Sequence, residues 1–220
     1  MKCIEDLVEI NDPAMISIRE MLEQADRPYD LLAPSPQNTS VLLQLQVTTK
    51  STLGAIAFET GGILIDHGWL RILGSGHQKL TRTLAGWSEG RAQGHLLVAD
   101  DATGGCFSIN GGGLGDDVGA VYYWAPDNLL WEPLGIGYTA FLEWAVSNRT
   151  AAFYEDLRWE SWHDDIQRVS GDQCVSFYPF LWTQEGSVAI SARRVVSMAE
   201  QYDLNCTLAG QLQAPAITPN

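Results

Sequence analysis

Residues 61–76 read Gly61-Gly62-Ile63-Leu64-Ile65-Asp66-His67-Gly68-Trp69-Leu70-Arg71-Ile72-Leu73-Gly74-Ser75-Gly76. Ile63-Leu64-Ile65 is an apolar run too short for a helix, so it predicts a buried strand. Asp66-His67-Gly68 has turn chemistry, and Trp69–Leu73 alternates as a second strand. Gly74-Ser75-Gly76 predicts the opening of a helix near 77–87. Downstream, His95–Ala99, Cys106–Ile109 and Val121–Trp124 are three further strand candidates, separated by Asp- and Gly-rich turns. Short connections leave no room for crossover helices, so residues 62–124 are expected in one mainly antiparallel sheet.

Helical periodicity surrounds this region. Asp12-Pro13 is an N-cap followed by a first-turn proline, and Met15, Ile18, Leu22 and Ala25 give a helix over 13–25. Residues 28–38 hold three prolines and predict a loop. A second helix from Ser35-Pro36 carries Val41, Leu42 and Leu45, and a third begins at Ser51 or Thr52 and runs through Phe58. Beyond the strands, Tyr138, Phe141, Leu142, Ala145 and Val146 form a helical stripe, as do Trp159, Trp162, Ile166 and Val169. Cys174–Tyr178 is a strand candidate and Val195–Leu204 a last short helix. The expected class is α+β, a central mainly antiparallel sheet flanked by helices. The expected organisation is a single domain over 1–204 with a loose tail over 205–220.

Composition bounds the function. The 220 residues include 27 Asp and Glu against 13 Lys and Arg, a net charge of −14. Nucleic-acid backbones require clustered cations, so no nucleic-acid partner is expected. No window approaches the roughly 18 apolar residues of a membrane span, and acids stand where a signal peptide needs a basic start. A cytoplasmic protein is the expectation. Cys3, Cys106, Cys174 and Cys206 are widely scattered, which predicts free thiols.

Chemical motifs are sparse. The glycine cluster at 111–119 joins two strands, carries Asp116-Asp117 and lacks a lysine, so it predicts a flexible hairpin loop and not a phosphate cradle. Gly135-Ile136-Gly137-Tyr138-Thr139-Ala140 fits G-x-G-x-x-A, but lacks the flanking strands of a dinucleotide site. The doublets Asp100-Asp101 and Asp116-Asp117 fall at opposite ends of one strand candidate and are taken as turn-forming acids. Ser161, His163, Asp164 and Asp165 fall on a solvated helix face. No metal site or cofactor is expected.

Charge layout is the strongest signal. No Lys or Arg occurs between Arg91 and Arg149, a stretch holding Asp100, Asp101, Asp116, Asp117, Asp127, Glu132 and Glu143 among many aromatics. Such a region suits docking of a basic protein, the charge raising the on-rate and aromatics supplying anchors. The candidate contact residues are Asp116, Asp117, Tyr122, Trp124, Asp127, Trp131 and Glu132. The alternative is a hydrolase assembled at the Asp66-His67 and Gly74–His77 turns, where His67, Arg71 and His77 would converge.

The run 61–76 resembles the signature of a bacterial domain-of-unknown-function family, number 2625. So do Val121–Asp127, Asp156-Leu157-Arg158-Trp159-Glu160 and Ser176–Trp182, and the resemblance spans Met1 to about Leu204. More distantly, the order of helix, Gly-Gly, two strands, Ala99-Asp100-Asp101, a Gly-rich strand, Val121-Tyr122-Tyr123 and Gly137–Leu142 resembles the SUKH superfamily. That resemblance implies a SUKH-like fold and an immunity-type protein that neutralises a toxin. The segment 149–182 departs from a minimal SUKH domain.

Overall fold

A computed structural model describes residues 1–213. Nine α-helices occur among them: α1 Ile4–Leu7, α2 Met15–Glu23, α3 Asn38–Leu45, α4 Thr52–Glu59, α5 Leu84–Ser88, α6 Tyr138–Ala145, α7 Arg149–Phe153, α8 Trp162–Ile166 and α9 Met198–Gln213. The strands are β1 Tyr29–Leu32, β2 Gly62–Ile65, β3 Leu70–Leu73, β4 His95–Asp101, β5 Cys106–Asn110, β6 Ala120–Trp124, β7 Trp131–Gly137, β8 Gln173–Tyr178 and β9 Ala192–Ser197. The class is α+β.

Strands β1 to β7 form one sheet in chain order, every neighbour antiparallel. The expected sheet over 62–124 is therefore present, extended by one strand at each side. Strands β8 and β9 pair separately. All four residues of β3 and the last five of β4 are buried, so the sheet centre is covered on both faces. Edge strand β7 is exposed at alternate positions near its end.

Local chemistry explains the boundaries. Ser51 Oγ accepts from Gly54 N at 3.1 Å and caps α4, as a helix start there requires. Gly62 adopts φ +133°, and a Cβ there would lie 2.6 Å from Ile72 O, so only glycine fits beneath β3. The turn between β2 and β3 holds Asp66 at φ +52° and His67 at +61°, left-handed values that an Asp tolerates through its own polar contacts.

Four expectations are corrected. The loop expected at 28–38 contains β1, paired with β2 from Tyr29↔Ile65 to Leu32↔Gly62. The helix expected near 77–87 is confined to Leu84–Ser88, because Gly74 and Thr83 bridge and the chain between them closes a tight turn. Residues 192–197 form β9, so the final helix starts at Met198. It also continues to Gln213, not to Leu204, because its buried face includes Met198, Tyr202, Asn205 and Ala209. Residues 205–213 are thus helical and not a loose tail; the rest of that expectation, 214–220, lies outside the described residues.

Candidate functional site

The predicted contact residues divide into two groups at opposite ends of β6. At its start lies the β5–β6 loop. Asn110 is 1% exposed and organises it: Oδ1 accepts from Gly112 N at 2.7 Å and Leu114 N at 3.1 Å, and Nδ2 donates to Gly115 O at 2.8 Å. The hairpin loop expected from its glycines therefore joins β5 to β6 and is braced from below by Asn110. Tyr122 donates its hydroxyl to Asp117 Oδ1 at 2.5 Å. That bond holds the Asp117 carboxyl below the usual carboxylate range and pushes the Tyr122 phenol up. Asp116, Asp117 and Val118 all reach solvent.

At the other end, the β6–β7 turn presents Asp127 and Glu132. Asn128 Nδ2 donates to Glu132 Oε1, and Asn128 Oδ1 accepts from Leu130 N at 2.8 Å. The Asp127 carboxylate reaches solvent, yet neighbouring protein mass partly desolvates it, and this raises its pKa, with added repulsion from Glu132 and Asp156. Asp156 is absent from the sequence-derived set, since nothing local marks it as a neighbour of Asp127. Leu130 is 50% exposed.

Two aromatic expectations are corrected. Tyr122 and Trp124 are buried, at 6% and 7% exposure, and belong with the core rather than with an anchor surface. Strand alternation does not expose them, because β6 is covered on both faces at these positions. Trp131 is half-buried, its ring 5.4 Å from Trp124 and 5.1 Å from His95. The exposed apolar residues beside the acids are Val118 and Leu130.

The hydrolase alternative loses its geometry. His67 borders an open cavity of about 510 Å³ with Tyr29, Asp30 and Lys79. His77 borders a different one of about 610 Å³ with Ser35 and Gln37. Arg71 is 1% exposed and faces neither. His67 instead meets His163, ring centroids 4.3 Å apart. Beside them Asp66 accepts from Arg27 and Arg158, whose guanidinium lies over Trp162 at 4.1 Å and Trp69 at 4.9 Å. This cluster clamps the β2–β3 turn to the segment carrying α8.

Asp100 and Asp101 are fully buried; Asp101 organises the β4–β5 turn as expected, whereas Asp100 points into an ion-pair network. Asp100 pairs with Arg71 and Arg82, and Arg82 also reaches Asp172. Asp101 Oδ1 accepts from Thr103 N, Thr103 Oγ1 and Gly105 N, and Oδ2 accepts from Tyr123 at 2.8 Å. A Cβ on Gly105 would lie 2.3 Å from both Asp101 Oδ2 and Tyr123 Oη, so glycine there is what lets this bond close. The carboxylates are spent on structure. Among the described residues no three His, Cys, Asp or Glu gather as a metal site.

Together these features define an α+β protein with an acidic sheet edge and a core cross-braced by buried ion pairs. The chain belongs to the family described as "Protein of unknown function DUF2625", which matches residues 4–201. It is 42% identical over 208 residues to the Escherichia coli (strain K12) "Putative uncharacterized protein YbfG", covering 93% of this chain and 95% of that one. A Haemophilus influenzae "Uncharacterized protein" is 37% identical over 215 residues, covering 93% and 94%. No solved structure matches. No helix among the described residues is long and apolar enough to cross a membrane.

Proposed function

We propose that this is a non-enzymatic protein-binding domain that engages a basic protein, such as a toxin neutralised by an immunity-type protein, through the β6–β7 ribbon. One observation carries the reading: at the two ends of β6, Asp116 and Asp117 in the β5–β6 loop and Asp127 and Glu132 around the β6–β7 turn all reach solvent, beside exposed Val118 and Leu130 respectively. The absence of Lys and Arg between Arg91 and Arg149 leaves that negative field unopposed by the local sequence. The resemblance to the SUKH superfamily points in the same direction. Pro133 and Glu132 lie in edge strand β7 and disfavour strand addition there, so recognition is by side chains. The four free thiols support a cytoplasmic setting.

The test begins with capture of a partner from native lysate, followed by association kinetics at low and high salt. Replacing Asp116 and Asp117 by Asn is expected to slow association by about threefold to tenfold at low salt and to flatten the salt dependence. Asp127→Asn with Glu132→Gln should act in the same way. Unchanged kinetics in both variants would refute the reading.

A further inference from the structure

Three cations of this acidic chain share one groove away from the acidic loops. Of its 13 Lys and Arg, seven form ion pairs among the described residues: Arg27, Lys50, Arg71, Lys79, Arg82, Arg91 and Arg158. Of the others, Arg168, Arg193 and Arg194 line one groove of about 400 Å³ between α8 and β9. Its one carboxylate, Asp165, is engaged by Trp159 Nε1 at 2.7 Å and Ser161 Oγ at 2.8 Å. Arg193 is held in place by Val188 O at 3.1 Å, with its guanidinium 5.1 Å from the Trp159 ring. The remaining lining is mostly apolar, with Val169, Val175, Ala192 and Val195 beside Ser191.

Strand geometry specifies what such a groove takes. Ser191 to Val195 line it consecutively, so it follows the strand and not one side chain. Among the described residues, β9 pairs with β8 on one side only. Residues 192–195 are exposed and contain neither proline nor a bulge, in contrast to β7. Cross-strand pairs share a face, so Val175 and Val195 make an apolar strip, with Arg193 two residues along on the same side. Alternation sends Arg194 to the other side.

We propose that the open edge of β9 receives an extended acidic peptide segment of a partner protein, added as a third strand to the β8–β9 sheet. Main-chain bonds to β9 would supply affinity. On the groove face, acidic side chains would meet Arg168 and Arg193 beside Trp159 and Val195, and acidic side chains on the other face of the added strand would meet Arg194. The inference is independent of the acidic ribbon, which requires a partner of opposite charge.

The test uses the full chain, a labelled glutamate-rich peptide that carries acids on both faces of the strand and is matched to the six residues of β9, and fluorescence anisotropy at low salt. Binding is expected, with Arg194→Glu and Arg168→Glu each weakening it at least about tenfold. N-methylation of alternate peptide amides should abolish it, since that removes the strand ladder. Both arginines are exposed, so thermal unfolding should be unchanged; Arg168→Gln serves if a charge reversal fails to fold. Absence of binding up to millimolar peptide overturns the proposal. So does equal binding of the N-methylated peptide, or displacement by inorganic phosphate at equal charge, which would make the groove a plain anion site. A dimer by sedimentation that Arg194→Glu dissociates would also overturn it, because a second copy would then be the occupant.

Discussion

Arg71 and Asp100 stand opposite each other on β3 and β4 and pair inside the core, Nε to Oδ1 at 2.6 Å, with side-chain exposures of 1% and 0%. Buried pairs of this kind offset a large desolvation penalty only while both members are present. Asp100 also neutralises Arg82, so it serves two cations.

Removing one member should therefore cost far more than removing both. Arg71→Met and Asp100→Leu are each expected to lower stability by about 3–5 kcal/mol, read from urea midpoints at constant m value. The double variant should cost less than the two singles added, although Arg82 then keeps only Asp172 as its carboxylate partner. Simple additivity would show that the pair contributes nothing as a pair.

The bond from Tyr122 to Asp117 gives a local pH test. Because it holds the Asp117 carboxyl below the usual range, Tyr122→Phe should raise that pKa toward about 3.9, visible in carboxyl carbon shifts by NMR. Any stability it contributes is present above the unfolded-state value and fades as pH falls through the lower folded one. An Asp117 titration unmoved by Tyr122→Phe would mean that the bond is not populated in solution.

His95 carries the opposite lesson for a base. Burial lowers its pKa, and its Nδ1 lies 2.7 Å from Ser108 Oγ. The unfolded chain thus takes up a proton first as pH falls below about 6.5, and stability declines until the folded value is passed. His95→Gln should flatten the urea midpoint between about pH 7 and 5 relative to the parent. A parallel slope in both proteins would exclude His95 as the source.

Thiol reactivity should follow burial. Burial pushes the Cys174 thiol up to about 12 and also raises Cys106 well above the usual thiol range, with both residues inside the core. Cys3 is exposed, although a hydrogen bond to Asp6 raises its pKa as well. A disulfide reagent at pH 8 should label Cys3 fastest in the native protein and all four cysteines in denaturant. Native labelling of Cys106 or Cys174 at the rate of Cys3 would contradict this packing.

The sheet was largely legible because its strands are apolar runs between Gly- and Asp-rich turns. Its two edges were not. β1 sits among Pro28, Pro34 and Pro36, and β7 contains Pro133, Gly135 and Gly137, residues that argue against a strand anywhere but at an edge. The end of α9 was hidden because polar Asn205 and small Ala209 occupy its buried face. At the candidate site, the exposed acids were identifiable from charge alone. The inward placement of Tyr122 and Trp124 was not, since alternation cannot reveal that both faces of a strand are covered. Nor could spacing reveal that Arg71 and Asp100 share a register position.

Arg71 also donates to Asp101 O and to Gln173 O, so its acceptors come from two parts of the chain far apart in order of synthesis. A nascent chain released as far as β7 already holds every strand of the large sheet. Its guanidinium still lacks the carbonyl that β8 brings. Completion of the interior therefore waits for β8, and the small β8–β9 sheet acts as a late seal on the large one. A chain that stops before Gln173 would hold every strand of the large sheet and the Arg71–Asp100 pair, yet leave one buried guanidinium donor without its acceptor.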